Sequence, residues 1–384
     1  MTPQPPIRFW RIPRSPRRHG GRSLVTVCFT LWLTVACQVT FAELPAIKVA
    51  EDGRSFVHDP GGAPFVPWGV NYDHDRDGRL LDEYWHDDWQ TVVEDFREIK
   101  SLGANCVRIH LQLGKFMDEP HQPKASALRQ LAKLVQLAED TGLYLDVTGL
   151  ACYHKANIPA WYDALEETQR WSAQASFWRA VASTCQDSPA IFCYDLMNEP
   201  IVGGPPGNRD WLAGEPLGGN YFVQRIALEA GGRSPQEVAE QWVKALTTAI
   251  RQEDARHLIT VGVIPWAHVW PNAKPLFYSP GPARHLDFVS VHFYPQAGQV
   301  EQALAALRIY QIGKPLLVEE MFPLKCSIPE LLAFVDGSRD VADGWISFYW
   351  GQPAAEYDRQ TIAGSITAEW LDAFARQADS RAAK

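Results

Sequence analysis

Short apolar runs alternate eight times with amphipathic helical patterns, and this alternation constrains the fold of the 384-residue chain more than any other feature. The predicted strands cover residues 65–72, 104–111, 143–150, 191–198, 258–264, 287–294, 314–320 and 344–350. The predicted helices cover residues 91–102, 127–141, 177–186, 235–253, 300–312, 329–334 and 368–377. Eight strand–helix units predict an α/β fold, a closed (β/α)8 TIM barrel rather than an open sheet. Residues 43–66 should add a hairpin or plug beneath the barrel, with its turn at residues 59–62.

The first 42 residues differ in kind from the rest of the chain. Six arginines and no acidic residue precede an apolar stretch from Leu24 to Ala42. A basic segment followed by an apolar one is typical of a secretory signal peptide, here with cleavage expected before Glu43. The alternatives are an uncleaved membrane anchor and a lipid attached at Cys37. We therefore expect a secreted or periplasmic protein, without stable membrane association after cleavage, in which residues 43–384 form a single catalytic domain.

The composition of the mature chain argues against several classes of partner and cofactor. Removing the signal peptide lowers the formal net charge from −9 to −15, so phosphates of nucleic acid should repel the protein. Five cysteines remain, and none has the CxxC spacing of a zinc site. One disulfide, such as Cys185 to Cys193, and buried free thiols are both compatible with the sequence. No cofactor and no metal are expected, and the protein is predicted to be a monomer.

Polar residues cluster at the carboxyl ends of the predicted strands, where the active site of a parallel barrel forms. They are Arg108 and His110 in the second strand, Asn198 and Glu199 at the end of the fourth, His292 and Tyr294 in the sixth, Glu319 and Glu320 in the seventh, and Tyr349 and Trp350 in the eighth. A single buried histidine is usually structural, but convergence from five strands indicates a site. Two carboxyl groups facing each other across a pocket, one protonated and one ionised, are what cleavage of a glycosidic bond requires.

Four motifs make the chain resemble glycoside hydrolase family 5, the cellulase and mannanase family of retaining barrel glycosidases. They are Asn105–Ile109, which contains Arg108, and the segments Asn198-Glu199-Pro200, His292-Phe293-Tyr294 and Lys314–Glu320. The resemblance covers nearly the whole mature chain, from the first predicted strand to the last. It implies a β-glycosidase that acts on a polysaccharide or oligosaccharide.

The resemblance implies a role for each carboxyl group. Glu199 matches the family's acid/base, and Glu320 matches its nucleophile, which Arg108 and hydrogen bonds from groups such as Tyr294 should keep ionised. Glu319 is the alternative nucleophile. Glu320 is preferred because the family's nucleophile precedes a bulky residue at the end of the seventh strand. Strand alternation separates Glu319 from Glu320 but does not show which of them faces inward.

The resemblance also implies the residues that bind the sugar. Asn198 should bind the 2-hydroxyl group, His292 should orient neighbouring groups or touch the substrate, and Trp350 should stack beneath the sugar beside the scissile bond. The implied substrate-binding residues are Asn71, Arg108, His110, Asn198, Trp211, Trp266, His292, Tyr294 and Trp350. Further tryptophans after the strands, such as Trp270, are candidates for additional subsites.

The sequence departs from the family pattern at two strand ends. Many members carry a histidine at the end of the third strand, whereas this chain has none there, and only Tyr153 or His154 could replace it from the following loop. Met321-Phe322 stands in place of the commoner aromatic–glycine pair. These departures indicate a divergent member of the family.

Two loops at the predicted rim leave alternatives open. Residues 201–234 are rich in Gly and Pro and carry Trp211, so they could form a lid that lines the substrate site or a mobile surface insertion. Asp73, Asp75 and Asp77 alternate as in calcium loops, but no downstream Glu completes that pattern. A solvated turn is therefore favoured there over a cation site.

Three functions of different classes fit these observations. The first is a secreted retaining β-glycosidase that hydrolyses β-1,4-glucan or β-mannan, with exo action on small β-glycosides as a variant. The second is a catalytically silent barrel that only binds carbohydrate, which the presence of both carboxyl groups disfavours. The third is a metal-dependent barrel hydrolase, which is disfavoured because His110, His154 and His292 do not form an HxH pair.

Overall fold

The computed structural model describes residues 44–75, 77–204, 207–270, 273–348 and 350–382. The predicted signal peptide, its cleavage site, Cys37 and Tyr349 lie outside the described residues. Among the helices that the structure describes, none combines the length and the apolar character needed to cross a membrane.

The strands and helices follow one another along the whole described chain. The strands are β1 Ala46–Val49, β2 Phe56–Asp59, β3 Pro64–Phe65, β4 Trp68–Tyr72, β5 Cys106–Gln112, β6 Met117–Glu119, β7 Gln122–Pro123, β8 Tyr144–Ala151, β9 Ile191–Asp195, β10 Pro200–Val202, β11 Leu212–Ala213, β12 Val223–Ala227, β13 Leu258–Thr260, β14 Gly262–Val263, β15 Val289–His292, β16 Leu316–Met321 and β17 Gly344–Ser347. The α-helices are α1 Leu81–Tyr84, α2 Trp89–Ser101, α3 Leu113–Phe116, α4 Ala125–Thr141, α5 Ala160–Asp163, α6 Glu167–Cys185, α7 Pro235–Glu253, α8 Trp266–Val269, α9 Pro280–Ala283, α10 Val300–Leu307, α11 Ile328–Gly337 and α12 Ile362–Ala382.

Eight parallel strands form the barrel, in the order β4, β5, β8, β9, β13 with β14, β15, β16 and β17. The fifth barrel strand is interrupted at Val261, so that β13 pairs with β9 and β14 pairs with β15. The ring closes where β17 pairs with β4. The predicted (β/α)8 TIM barrel is therefore confirmed. The fourth, sixth and eighth barrel strands end before the predicted boundaries, because their last residues leave the sheet and form its rim.

The seven predicted helices are all present, and their ends follow local capping chemistry. Helix α7 begins as predicted because Ser234 caps it: its hydroxyl accepts from Glu237 N–H, and Glu237 accepts in return from Ser234 N–H. Helix α4 ends at Gly142, whose φ of +67° is the left-handed conformation that glycine adopts without steric cost.

A three-stranded antiparallel sheet closes the amino-terminal end of the barrel. Strand β2 lies in its centre and pairs with β1 and β3. Phe56 of this sheet is fully buried, and its ring lies edge-on to Phe192 and Phe288, with centroids 5.1 Å away in both cases. The predicted plug is confirmed, and it contains a third strand in addition to a hairpin.

The long segment after β9 has a small sheet of its own. Strand β12 pairs in parallel with β10 and antiparallel with β11. Tyr221 N–H donates to Tyr153 O at 2.9 Å, and Gln224 Nε2 donates to Leu150 O at 3.0 Å, so the segment is hydrogen-bonded to the end of β8. Its described part is thus a folded element of the barrel rim.

The described cysteines form no disulfide bond. The five cysteines in the described residues are all free thiols: Cys106, Cys152, Cys185, Cys193 and Cys326. Cys185 and Cys193 are therefore not bridged.

In the acidic loop, the side chain of Asp75 accepts hydrogen bonds from the backbone of residues 77 and 79 and from the guanidinium of residue 79. The loop is a turn, as expected, but Asp75 at its centre is buried rather than solvated.

Candidate active site

Arg108, in the middle of β5, is the hub of a buried polar cluster at the carboxyl end of the barrel. Its Nη1 donates to Asn71 Oδ1 at 2.9 Å and to Glu320 Oε1 at 2.5 Å. Its Nη2 donates to Asp195 Oδ2 at 2.8 Å and to Asn198 Oδ1 at 2.9 Å. Because the guanidinium is planar and rigid, it fixes side chains from three other barrel strands in one arrangement.

Glu199 and Glu320 face each other above this hub. Three atoms lie within 4.8 Å of one another: one carboxyl oxygen of Glu199, one carboxyl oxygen of Glu320 and a ring nitrogen of His292. Glu199 has a φ of +47°, in the left-handed region that non-glycine residues rarely adopt. Its N–H donates to Gly262 O at 2.9 Å. The chain therefore turns sharply just after β9, and the neighbouring strand β14 anchors that turn.

Each carboxyl oxygen of Glu320 has its own donor. Oε1 accepts from Arg108, and Oε2 accepts from the hydroxyl of Tyr294 at 2.6 Å. Burial, followed by the charge of Glu320, raises the pKa of Tyr294 well above its usual value, so the phenol remains a donor. Two such donors stabilise an ionised carboxylate. The two contacts that the sequence predicted for Glu320 are thus present.

His292, at the end of β15, connects three carboxyl groups. Its Nδ1 lies 3.0 Å from Glu199 Oε1 and 3.5 Å from Glu320 Oε2, and its Nε2 lies 3.1 Å from Glu319 Oε2. Burial would lower the pKa of His292, but the charge of Glu320 and the hydrogen bonds to Glu199 and Glu319 outweigh it and raise the pKa to about 10. The ring is therefore an imidazolium at neutral pH, with a donor at each nitrogen.

Glu319 and Glu320 both contact the same two cations, Arg108 and His292. The cause is an irregularity in the strand pairing: Val291 lies opposite Val318, but the next residue, His292, lies opposite Glu320. A β-bulge of this kind adds one residue to a strand and interrupts the alternation of side chains. Glu319 and Glu320 therefore do not point to opposite sides of the sheet as simple alternation would require. Glu320 is 6% exposed, whereas Glu319 is fully buried beneath it.

Two further buried carboxyl groups belong to the cluster, and the sequence analysis missed both. Asp195 accepts from Arg108, from Thr148 Oγ1 at 2.9 Å and from Gly262 N–H at 2.8 Å, while burial raises its pKa to about 6. Asp146 accepts no hydrogen bond from the described residues. Burial, followed by the charge of Glu319, raises the pKa of Asp146 well above its usual value, so this carboxyl group binds a proton more readily than an exposed one does.

Asn71 and His110 were predicted to bind substrate, but the structure places both behind the cluster. Asn71 Nδ2 donates to the backbone carbonyls of Glu319 and Ser347 at 3.0 and 3.2 Å, and its Oδ1 contacts Arg108 and His110. Nδ1 of His110 lies 2.5 Å from the hydroxyl of Tyr153. Burial, followed by the charge of Arg108, lowers the pKa of His110 well below its usual value. The side chain of Asn71 is fully buried and occupied by protein partners, so we correct its role to structural support of the site.

Tyr153 reaches the polar cluster from the loop after β8, as the sequence analysis proposed for a replacement of the missing histidine. His154 points elsewhere, since its Nε2 lies 3.7 Å from a carboxyl oxygen of Glu83. Asn198 is also almost fully buried: its Oδ1 accepts from Arg108, and its Nδ2 donates to the backbone carbonyl of Phe222 at 2.9 Å. The segment 201–234 therefore contributes to the support of the residue beside Glu199.

Two of the predicted sugar-binding tryptophans are buried by protein. Trp350 is fully buried, and its ring lies edge-on to Tyr72 with the centroids 5.5 Å apart. Trp211 is 4% exposed, and the guanidinium of Arg170 lies 4.3 Å from its ring centroid. In this structure both rings are packing groups, and neither presents a free face on which a sugar could stack.

Trp266 has a different environment. It stacks on Trp270 with 5.0 Å between centroids, and Trp270 is 59% exposed. The two rings line an apolar cavity of about 270 Å³ whose other walls include Pro200, Ile201 and Val263. Pro200 directly follows Glu199, so the cavity lies on the Glu199 side of the site. Contact of Trp266 with substrate stays a prediction.

Glu199, His292 and Glu320 are the three described residues whose ligand atoms come close enough together to surround a cation. The raised pKa of His292 favours a protonated ring, and a protonated ring nitrogen does not bind a metal. We therefore assign these contacts to a hydrogen-bond network.

The comparisons with known proteins agree with this architecture. The family model described as cellulase (glycosyl hydrolase family 5) matches residues 62–320. The chain is 24% identical over 275 residues to mannan endo-1,4-β-mannosidase A of Podospora anserina, a match that covers 64% of this chain and 60% of that protein. The chain thus spans about three fifths of the length of that relative.

The fold is similar to that of solved structures. An exo-β-1,4-mannosidase from Opitutaceae bacterium strain TAV5 superposes with a TM-score of 0.65 at 18% identity, covering 87% of this chain and 62% of that one. The endoglucanase Cel5A catalytic domain of Thermobifida fusca superposes with a TM-score of 0.56 at 15% identity, covering 87% of this chain and 98% of that one.

Fold and site together define a TIM-barrel protein with two opposed glutamates at the carboxyl ends of its fourth and seventh barrel strands. Since the family model covers well over half of the chain, the protein belongs to glycoside hydrolase family 5. The low identity to its relatives agrees with the prediction of a divergent member.

Proposed function

We propose that this protein is a secreted β-glycosidase that hydrolyses β-linked mannan or glucan with retention of configuration. The observation that carries the proposal is the opposition of Glu199 and Glu320, with one oxygen of each within 4.8 Å of the other. Retaining glycosidases hold their carboxyl groups about 5–5.5 Å apart, whereas inverting enzymes leave a gap of about 6.5–9.5 Å for a water molecule.

The environments of the two glutamates support different roles. Glu320 is held by Arg108 and Tyr294, so it is the better candidate for the ionised nucleophile that attacks the anomeric carbon. Glu199 is more exposed and would give its proton to the leaving oxygen. In the second step, Glu199 would take a proton from water, whose oxygen then displaces Glu320 from the sugar.

The substrate assignment rests on the relatives and on the cavity beside Glu199. Several of the similar proteins are named for action on mannan or β-1,4-mannosides, one is named an endoglucanase, and one is named a β-glucuronidase. Because the acid group protonates the leaving oxygen, the cavity with Trp266 and Trp270 lies where the leaving group would bind. Stacked indoles provide apolar faces for a sugar ring at that position.

The test combines product analysis with two variants. The wild-type protein is incubated with β-mannan, β-glucan and aryl β-glycosides, and the anomeric configuration of the first product is followed by NMR. Glu320→Ala and Glu199→Ala should each lower turnover by at least about 10³-fold. Azide should restore turnover of an activated aryl β-glycoside, giving the α-glycosyl azide with Glu320→Ala and the β-glycosyl azide with Glu199→Ala.

Glu215→Ala provides the matched control, since this glutamate is exposed in the rim segment 201–234. It should retain wild-type turnover. Activity near the wild-type level in either Glu199→Ala or Glu320→Ala would refute the assignment, and an α-configured first product would refute retention. Export is tested separately by sequencing the amino terminus of protein recovered outside the cytoplasm, which should begin near Glu43.

A further inference from the structure

Glu319 is a fully buried carboxylate that the proposed reaction does not use. Its Oε1 accepts from Ser290 Oγ at 3.0 Å, and its Oε2 lies 3.1 Å from His292 Nε2 and 3.7 Å from Arg108 Nη2. Burial would raise the pKa of Glu319, but the charge of Arg108 and then the hydrogen bond and charge of His292 lower it below the usual value. Glu319 is therefore an anion that contacts the imidazole on the side opposite Glu199.

The local chain is shaped around this contact. A side chain at Gly262 would overlap Glu319 Oε2, and its Cβ would lie 2.7 Å from His292 Nε2 and 3.1 Å from Asp195 Oδ2. The contacts with Glu319 and His292 are closer than Cβ atoms approach other atoms in folded proteins, and the contact with Asp195 is tight. The absence of a side chain at Gly262 therefore leaves the space in which His292 and Glu319 meet.

Charged and titratable groups surround the imidazole from every neighbouring element. They are Arg108 and His110 of β5, Asp195 of β9, Glu199 just after β9, Tyr294 just after β15, and Glu319 and Glu320 of β16, with Asp146 of β8 next to Glu319. Glu319 is the member of this set that contacts Nε2, whereas the two proposed reacting carboxyl groups both face Nδ1.

We propose that Glu319 is a positioning residue that, through His292, fixes the place of the acidic proton on Glu199. This inference rests on the proposed role of Glu199 as acid/base. The anionic Glu319 at Nε2 favours a proton on that nitrogen, and the carboxylate of Glu320, 3.5 Å from Nδ1, favours a second proton there. With Nδ1 protonated, its N–H points to Glu199 Oε1 at 3.0 Å, and the proton of the acid is then held on Oε2. It is then free for transfer to the leaving oxygen.

Replacing Glu319 with glutamine removes this constraint. An amide at position 319 can donate to a bare Nε2 or accept from a protonated one, so His292 can become neutral. With a bare Nδ1, the ring would accept the proton from Glu199 Oε1 and draw it away from the leaving group. The loss should therefore appear where proton transfer to the leaving group limits the rate.

The kinetic test compares leaving groups of different acidity. With a phenyl β-glycoside, which needs protonation, Glu319→Gln should lower kcat/KM by about 10²-fold relative to wild type. With a 2,4-dinitrophenyl β-glycoside, which needs little assistance, the loss should be less than about threefold. Ser290→Ala removes a donor to Glu319 but keeps its charge, so it should affect both substrates equally. Equal losses on the two substrates with Glu319→Gln would overturn the proposal.

A second measurement does not depend on turnover. In protein with ¹⁵N-labelled histidine, His292, assigned by comparison with His292→Gln, should keep both imidazole protons from about pH 5 to about pH 9. In Glu319→Gln it should lose one within that range, while Ser290→Ala and Glu319→Asp should resemble wild type. A wild-type His292 that titrates near neutral pH would overturn the proposal. Turnover of neither substrate by wild type would instead count against the proposed function and leave this measurement to decide.

Discussion

Tyr294 contributes one hydroxyl group to the charge balance of the site, and its removal has a defined consequence. Tyr294→Phe deletes the 2.6 Å hydrogen bond to Glu320 Oε2 while keeping the ring. Since the hydrogen bond stabilises the negative charge of Glu320, we expect kcat/KM to fall by about 10- to 100-fold. Steady-state kinetics of the variant and of wild type check this. A kcat/KM equal to that of wild type would contradict it.

Gly262 offers a test of the space beneath His292. In Gly262→Ala, the new methyl group would overlap Glu319 and push it or His292 out of place. We expect the free energy of unfolding to fall by about 1–3 kcal/mol, as for other overpacked interiors, together with a clear loss of kcat. Urea unfolding and kinetics measure both effects. In the control Gly281→Ala, the new Cβ meets the flexible side chain of Glu240, so stability and kcat should change little.

At the level of residues, the sequence predicted the groups with a known chemical role and missed those that support them. Asp146 and Thr148 lie on the same face of the third barrel strand by alternation, the same signal that identified Arg108 and His110. Asp195 is a charged residue within an otherwise apolar strand, and such a residue needs a buried partner. These patterns are visible in the sequence, but they do not identify the residue that pairs with Asp195, because Arg108 is 87 positions away.

At the level of elements, the alternation of strands and helices predicted the barrel because it depends only on local periodicity. Irregular pairing is different, because a bulge depends on how two strands match in three dimensions. The extra residue in β16 brings Glu319 and Glu320 to the same two cations, which alternation alone cannot predict. The burial of Trp211 and Trp350 likewise depends on contacts with Arg170 and Tyr72, which are distant in sequence.

The amino-terminal sheet is predicted to stabilise the barrel without taking part in the site. Phe56 packs on Phe192 and Phe288 at the amino-terminal end, opposite the polar cluster. Phe56→Ala should therefore lower the free energy of unfolding by about 3–5 kcal/mol, because it leaves a cavity in a packed core. At a temperature where the variant is folded, kcat should equal that of wild type. Denaturant unfolding and kinetics on the same samples test this, and a large loss of kcat in folded protein would contradict it.

At the level of the whole molecule, the barrel collects acidic side chains from several strands around few cations. In the described residues, Asp146, Asp195, Glu319 and Glu320 surround the single guanidinium of Arg108, and the imidazolium of His292 adds the second positive charge. Burial raises the pKa of Asp146 and of Asp195, so both carboxyl groups bind a proton more readily than exposed ones do. A raised proton affinity is therefore part of how this fold accommodates its buried carboxyl groups.

The same principle predicts how stability depends on pH at a site away from the cluster. Asp82 is buried and accepts from Gln112 N–H and Nε2 at 2.8 and 2.7 Å, and burial raises its pKa from 3.8 to about 7. Between about pH 4 and pH 7 the folded protein thus holds a proton that the unfolded chain has lost. Stability from this group is complete below that window and declines as pH rises through it, by up to about 1.4 kcal/mol per pH unit.

Asp82→Asn removes this titration while keeping the shape of the side chain. The variant should gain stability relative to wild type as pH rises from about 4 to about 7, and the difference should level off above that range. Urea unfolding at matched pH values measures it, with Asp187→Asn, a substitution of an exposed aspartate, as the control. A difference that shrinks as pH rises would mean that Asp82 is ionised in the folded protein throughout. The burial of its carboxyl group would then be compensated by the hydrogen bonds from Gln112 and the charge of Lys115.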